Sequence, residues 1–307
     1  MHVIVTDALP PTHLAATLGD ALASRHPDLI PFFNGKAYQV HPWSIDEHGC
    51  TPKEAMLLQA QGFVSDGKQP IGRALANHLV GEQLSEPVWV ADMCSILVGQ
   101  NRTALLPLEE LNLDSSDAEK LSASASILLD DPPTGLRIEP IDRGRWRVTG
   151  NLPPDTLLPS PAAVADQDLA DWWPTGDAWR PWRKLVNELQ MLWHMDPVNE
   201  ARTQAGLTPV NGLWLYGGGG MVRSDNPAPA HWIEDLSDAA TAADWSAWLD
   251  RWQLVKQALM ACPPEARVTL TAPDRLVHLA HAPVTWWRAL FRVSQNQQWR
   301  KWWQNSK

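Results

Sequence analysis

Short apolar runs alternate with amphipathic stretches along this chain. Val3-Ile4-Val5 predicts a buried first strand over residues 3–6, and Leu14, Leu18 and Leu22, spaced four apart, predict a helix over 12–24. Pro27, Pro31, Gly35, Pro42 and Gly49 break any period, so residues 26–50 are expected to be irregular. Thr51-Pro52-Lys53-Glu54 then reads as a helix start, with threonine at the N-cap, proline in the first turn and glutamate completing a capping box. A helix is predicted over 71–80 and strands over 87–91 and 95–98, while 103–113 shows no single period.

Asp114 or Ser115 caps the next predicted helix, which runs to Leu129. Residues 136–139 and 145–149 read as a hairpin around Asp142-Arg143-Gly144, and six prolines make 151–181 a surface connection. Helices are predicted over 181–194 and 197–205, a strand over 210–216, and a Gly- and Pro-rich loop over 217–230. Trp245, Trp248 and Trp252 share one face of a helix over 242–260. A strand over 267–271 and an element over 286–293 complete the pattern. Strand–helix alternation without a repeat favours an α/β fold with a mainly parallel sheet.

The 307 residues suffice for one large domain or two smaller ones, and 44% hydrophobic with 20% charged residues is a globular composition. No apolar run approaches the roughly 18 residues that cross a bilayer, and Met1–Asp7 lacks the pattern of a signal peptide. Cys50, Cys94 and Cys262 are odd in number and far apart, which argues against a disulfide framework and for a cytoplasmic location. The formal charge of −10 disfavours nucleic-acid binding. Yet Trp286–Lys307 holds five cations, no acid and five of the 18 tryptophans.

The most distinctive segment runs from Trp182 to Arg202 and on through Pro209–Tyr216 into four glycines. Asn187, Gln190 and His194 fall on one helix face, and Asp196 is placed to cap the next helix with Pro197 at its first position. Two readings follow. Asn199, Arg202, Asn211, Gly217 and Gly219 could line an anion pocket, with Asn187, Gln190 and His194 behind them. Alternatively the polar groups form a buried latch between two helices and a strand end.

This segment resembles the signature of a proteobacterial family of phosphoglycerate mutase-like or regulatory proteins. That family's pattern is roughly N-E-x-Q-M-L-x-x-H-P-V-N-x-x-R, then N-x-L-W-L-W-G-x-G, and the chain departs from it at Asp196, where the family has His. More distantly it is similar to archaeal-type cofactor-independent phosphoglycerate mutases of the alkaline phosphatase superfamily. The resemblance implies a reduced alkaline phosphatase-like core over residues 1–84 and 176–307, with a largely parallel central sheet. A small α/β insertion with its Pro-rich connection would occupy 85–175. Enzymes of that superfamily use two divalent metals (Mn, Zn or Mg) and a Ser or Thr nucleophile. By resemblance Thr51 is the candidate nucleophile, and Asp7, Asp274, His278 and His281 are candidate metal ligands. The Asp-Gly and Asp-His pairs are absent: Ala8 follows Asp7, and Arg275 follows Asp274.

Three functions remain open from the sequence. The expected one is a non-catalytic regulatory or protein-interaction module, needing no cofactor and meeting an unidentified protein or a small anionic ligand. The second is a metal-dependent mutase or phosphatase. The third is a binder of single-stranded nucleic acid through Trp299, Arg300, Lys301, Trp302 and Trp303, which could equally form a docked helix with its indoles buried. His41, Asp46, Glu47, His48 and Cys50 could ligate metal, but their spacing matches no standard zinc site and also suits a polar loop.

Overall fold

The computed structural model describes residues 1–63, 69–81, 87–132, 135–153, 155–165, 167–219, 227, 229–281 and 298–304. The chain begins with β1 (His2–Val5), α1 (Thr12–Arg25), α2 (Leu29–Asn34), β2 (Lys36–Pro42), α3 (Ile45–His48), α4 (Pro52–Ala60) and α5 (Leu75–Val80). Next come β3 (Val88–Val98), β4 (Thr103–Leu106), α6 (Ser115–Leu129), β5 (Leu136–Asp142), β6 (Arg145–Gly150) and α7 (Pro161–Val164). Then follow α8 (Arg180–His194), α9 (Pro197–Gln204), β7 (Gly212–Gly219), β8 (Ala230–Ile233), α10 (Ser237–Thr241) and α11 (Trp245–Ala261). The last elements are β9 (Arg267–Thr271), β10 (Arg275–His281) and α12 (Gln298–Gln304). The element expected over 286–293 lies outside the described residues.

The chain divides into two units. The first comprises residues 1–44, 52–62 and 226–307, the second residues 45–51 and 63–225. Residues 63–84 and 176–225, expected in the larger core, therefore group with 85–175.

The first unit carries a five-stranded sheet of order β2-β10-β9-β1-β8. β1 runs parallel to β8 and β9, but β10 is antiparallel to both β9 and β2. The sheet is thus mixed, not largely parallel. The cause is local: only residues 272–274 join β9 to β10, the turn is closed by Ala272 N–H donating to Arg275 O at 2.9 Å, and so short a link permits only antiparallel pairing. Val3, Val5, Val268, Leu270, Val277 and Leu279 pack on one face against α1, α2, α11 and α12. The other face carries a smaller cluster of Ile4, Leu276 and Met56 of α4.

The second unit is built on β3, which pairs antiparallel with β4, β6 and β7, while β5 and β6 form the expected hairpin. α6 and α8 cover the face bearing Trp89, Ala91, Met93, Leu213 and Leu215. Asp114 caps α6 as expected, accepting from Asp117 N–H at 2.8 Å.

Several boundaries differ from the sequence reading. Residues 26–50 contain β2, an edge strand that tolerates Pro42 at its end. β3 is one strand instead of two, because Asp92 in its middle is neutralised where it lies. Arg145 donates to both its carboxylate oxygens, at 2.7 and 2.8 Å. β7 continues through Gly219, where a loop was expected. The space a side chain would need at Gly217 is taken by Ala76 and at Gly218 by the Trp89 ring, and both residues have positive φ (+99° and +77°).

Candidate functional site

α8 is strongly two-sided. Trp182, Leu185, Val186, Leu189 and Trp193 are buried along one face, and Trp193 Nε1 donates to Leu121 O at 3.1 Å. Asn187, Met191, His194 and Met195 are exposed and Gln190 is half-buried on the opposite side. Asp196 then caps α9, accepting from Val198 N–H at 2.9 Å, with Pro197 in the first turn.

The polar residues that follow are tied to backbone. Asn199 Nδ2 donates to Trp193 O and Val210 O at 2.8 and 2.7 Å, and its Oδ1 accepts from Val210 N–H at 2.8 Å. Arg202 is 2% exposed and spends its guanidinium on the carbonyls of Thr208, Leu111 and Asn112. Asn211 accepts from Ile96 N–H at 2.6 Å and donates to Ile96 O at 3.0 Å, so its carboxamide extends the ladder of β7 along β3. Asn199, Arg202 and Asn211 thus form a latch joining α9 and the start of β7 to neighbouring chain.

The residues of the alternative anion-pocket reading are placed apart. Arg202 gives four of its five N–H donors to backbone carbonyls. Gly217 lies six residues along β7 from Asn211, about 20 Å at strand rise. Gly219 packs against Arg73, whose Cβ would lie 2.7 Å from an added side chain.

What the segment does form is a groove. One depression of about 470 Å³ is lined by Asn187, Gln190, Met191, His194 and Asn211. A second, of about 410 Å³, shares His194 and Asn211 and continues past Met195, Glu200, Thr203 and Gln204. Among the described residues the side chains of Asn187, Gln190 and His194 make no hydrogen bond. The three side chains expected to stand behind a pocket are therefore the ones that face solvent. The sequence reading missed Met191 and Met195, whose signal was two apolar residues, four apart, on the polar face of an amphipathic helix.

The residues singled out for metal-dependent chemistry lie in other arrangements. Asp7 lies in the turn after β1 with φ +54°, and one carboxylate oxygen accepts from Ser237 Oγ at 2.6 Å. Asp274 accepts from Thr12 Oγ1 and pairs with Arg275, both at 2.5 Å. His278 shares the Thr269 hydroxyl with His2, at 2.8 and 2.7 Å, and its ring meets His41 with centroids 4.9 Å apart. His281 is exposed at the end of β10, and Thr51 is half-buried just before α4. Among the described residues no three His, Cys, Asp or Glu side chains converge as a metal site. A guanidinium already neutralises Asp274, so these groups do not fit a two-metal centre. Asp46 and Glu47 are exposed on α3, while Cys50 is buried.

The tail residues are docked. Trp299, Trp302 and Trp303 are 1%, 0% and 0% exposed, so they are unavailable as partner anchors. Arg300 pairs with Asp20 at 2.5 Å, and Lys301 is exposed.

A further buried group went unread in the sequence. Tyr216 donates to Asp92 at 2.9 Å beside the Arg145 pair, and Glu109 accepts from Arg145 at 2.9 Å. Burial opposes charge on Arg145, but the hydrogen bonds to Asp92 and its attraction outweigh this and hold the guanidinium protonated. Burial, with the Asp92 charge, pushes the Tyr216 phenol well up, so it remains a donor.

No family model matches the chain, and no curated protein matches it. Two solved structures are similar over most of their length. One is the cofactor-independent phosphoglycerate mutase from Thermoplasma acidophilum DSM 1728, at 14% identity and TM-score 0.34, covering 93% of this chain and 91% of that one. The other is the PH0037 protein from Pyrococcus horikoshii, at 12% identity and TM-score 0.38, covering 92% and 87%.

Proposed function

We propose that this chain is a non-catalytic regulatory module that acts by protein interaction, and that the groove between α8 and Asn211 is where it meets its partner. One contrast carries the reading. Asn199 and Arg202 are spent on backbone groups, whereas Asn187, Gln190 and His194 carry free polar ends beside Met191 and Met195, which are 74% and 85% exposed. Exposed methionine is flexible and polarisable, which suits a surface that adapts to another protein.

The state of the acidic candidates supports the same reading. Phosphoryl transfer through two divalent metals needs carboxylates free to coordinate, and Asp274 is held by Arg275 and Thr12 while Asp7 is held by Ser237. The purified protein is therefore expected to show no hydrolysis of p-nitrophenyl phosphate and no isomerisation of 3-phosphoglycerate with added Mn²⁺, Mg²⁺ or Zn²⁺. A turnover above about 1 s⁻¹, lost in folded Asp7→Ala and Asp274→Ala proteins, would overturn the proposal in favour of an enzyme.

A further inference from the structure

The chemistry of the groove walls says what kind of partner segment fits them. Each carboxamide offers two N–H donors and an oxygen with two lone pairs. Asn187 and Gln190 have all of these unspent among the described residues. Asn211 has used one donor and one lone pair on Ile96, leaving one of each. A carboxamide is the side-chain version of a peptide group. Three of them along a groove match a row of main-chain N–H and C=O groups.

Charge narrows the match. Arg202 is committed to carbonyls, and Lys184 on the same helix is paired with Glu188 at 3.6 Å. His194 and Glu200 are the titratable residues in the lining of the two depressions. An anion would find no counter-charge here beyond one exposed imidazole. A small molecule is a poor fit as well, because such sites enclose most of the ligand's surface, whereas these walls are largely exposed side chains.

Length agrees with a peptide. Asn187 to His194 spans about 10 Å at 1.5 Å per helical residue, which an extended chain covers with about three residues. The second depression adds room for one or two more. Past Asn211, Leu97 and Val98 at the end of β3 are 44% and 83% exposed.

We infer that the groove takes an extended peptide segment of a protein partner that carries no acidic side chain. Its main chain bonds Asn187, Gln190 and Asn211, and an apolar side chain lies against Met191 and Met195. The inference rests on the interaction-module reading and specifies how the partner is held.

The test uses the full chain, immobilised, as bait for a phage library of random nine-residue peptides. Enriched sequences are expected to have a centre free of Asp and Glu, with Leu, Ile, Met or Phe. Synthetic copies, titrated by fluorescence anisotropy, should bind about tenfold more weakly when two central amides are N-methylated, as the loss of one or two hydrogen bonds implies. The Gln190→Ala, Met191→Ala double variant should weaken binding comparably while melting at the wild-type temperature. No enriched peptide, enrichment of acidic ones, or binding indifferent to both changes overturns the inference. A photo-crosslinking residue at position 191 separates the two levels. Crosslinks to a folded, discontinuous surface, with no peptide enriched, sink the peptide mode but keep the groove as an interface. Neither crosslink nor peptide sinks both.

Discussion

Arg202 carries a full charge at 2% exposure, and backbone carbonyls alone receive its hydrogen bonds. Truncating it would leave the buried carbonyl of Leu111 and the half-buried carbonyl of Thr208 short of donors. Each unpaired buried group costs about 1–3 kcal/mol. Arg202→Ala and Asn199→Ala are therefore each expected to lower the unfolding free energy, read from urea melts, by about 1–3 kcal/mol or more. Asn211→Ala should do so too, whereas Gln190→Ala, which breaks no bond, should stay within about 0.5 kcal/mol. Equal effects at Gln190 and Arg202 would contradict the division into latch and groove. The sequence placed Asn199, Arg202 and Asn211 together but left pocket and latch open, since either needs the same spacing. What separates them is the identity of the partners, and Leu111 lies 91 positions from Arg202. No local pattern encodes that.

Elements were legible where one rhythm dominated. α1, α6, α8 and α11 have long apolar faces, and the structure has helices close to their predicted spans. β10 was missed because Arg275, His278 and His281 interrupt its apolar run, and β8 because it is only four residues long. Those histidines matter for the sheet that β10 completes. Ile4, Thr269, His278 and Gln39 are register partners and share one face, opposite the large core. Thr269 has a single hydroxyl proton for two imidazoles, so at most one histidine accepts from it and at least one donates to it. Burial, then the charge of Arg267, then His41 and His2, push His278 down to about 4, and burial with Arg267 and the N-terminal ammonium lowers His2. Above pH 6.5 both folded and unfolded chains hold His278 neutral. As pH falls below 6.5 the unfolded chain binds a proton that the folded chain refuses until about pH 4, so stability is lost across that window. Wild-type protein is thus expected to lose more stability between about pH 7 and pH 5 than His278→Gln, in which that titration is removed. Parallel slopes of urea midpoint against pH for the two proteins would refute this.

At the scale of the whole molecule, strand–helix alternation suggested one parallel sheet, and short links undid that expectation: residues 272–274 and the β5–β6 turn each force antiparallel neighbours. The charge asymmetry, in contrast, was fully visible, and its meaning turns on where the aromatic residues go. A formal charge of −10 repels nucleic acid, so binding would need the tail's cations and indoles to be free together. They are not. Trp299, Trp302 and Trp303 join Phe33, Trp248 and Trp252 in one aromatic cluster. Trp303 Nε1 donates to Ala15 O at 2.9 Å, and Arg275, fully buried, donates to Trp303 O at 2.7 Å near the carbonyl end of α12. Gly19 leaves room for this docking, since a side chain there would meet Trp303 at 2.9 Å. Three buried indoles remove roughly 150–250 Å² each from water, which at about 25 cal/mol per Å² favours the docked state by roughly 10–20 kcal/mol before the ordering costs that offset most of it. Deleting residues 298–307 is therefore expected to lower the melting temperature by several degrees. Neither form should bind a fluorescent 20-nucleotide oligo-dT at about 150 mM salt. An unchanged melting temperature, with oligo-dT binding that falls steeply as salt rises and vanishes on deletion, would make the tail a nucleic-acid arm. A contact resting on buried indoles predicts the reverse pattern: a large loss of stability, no change in nucleic-acid affinity, and little dependence on salt, because apolar burial is not screened.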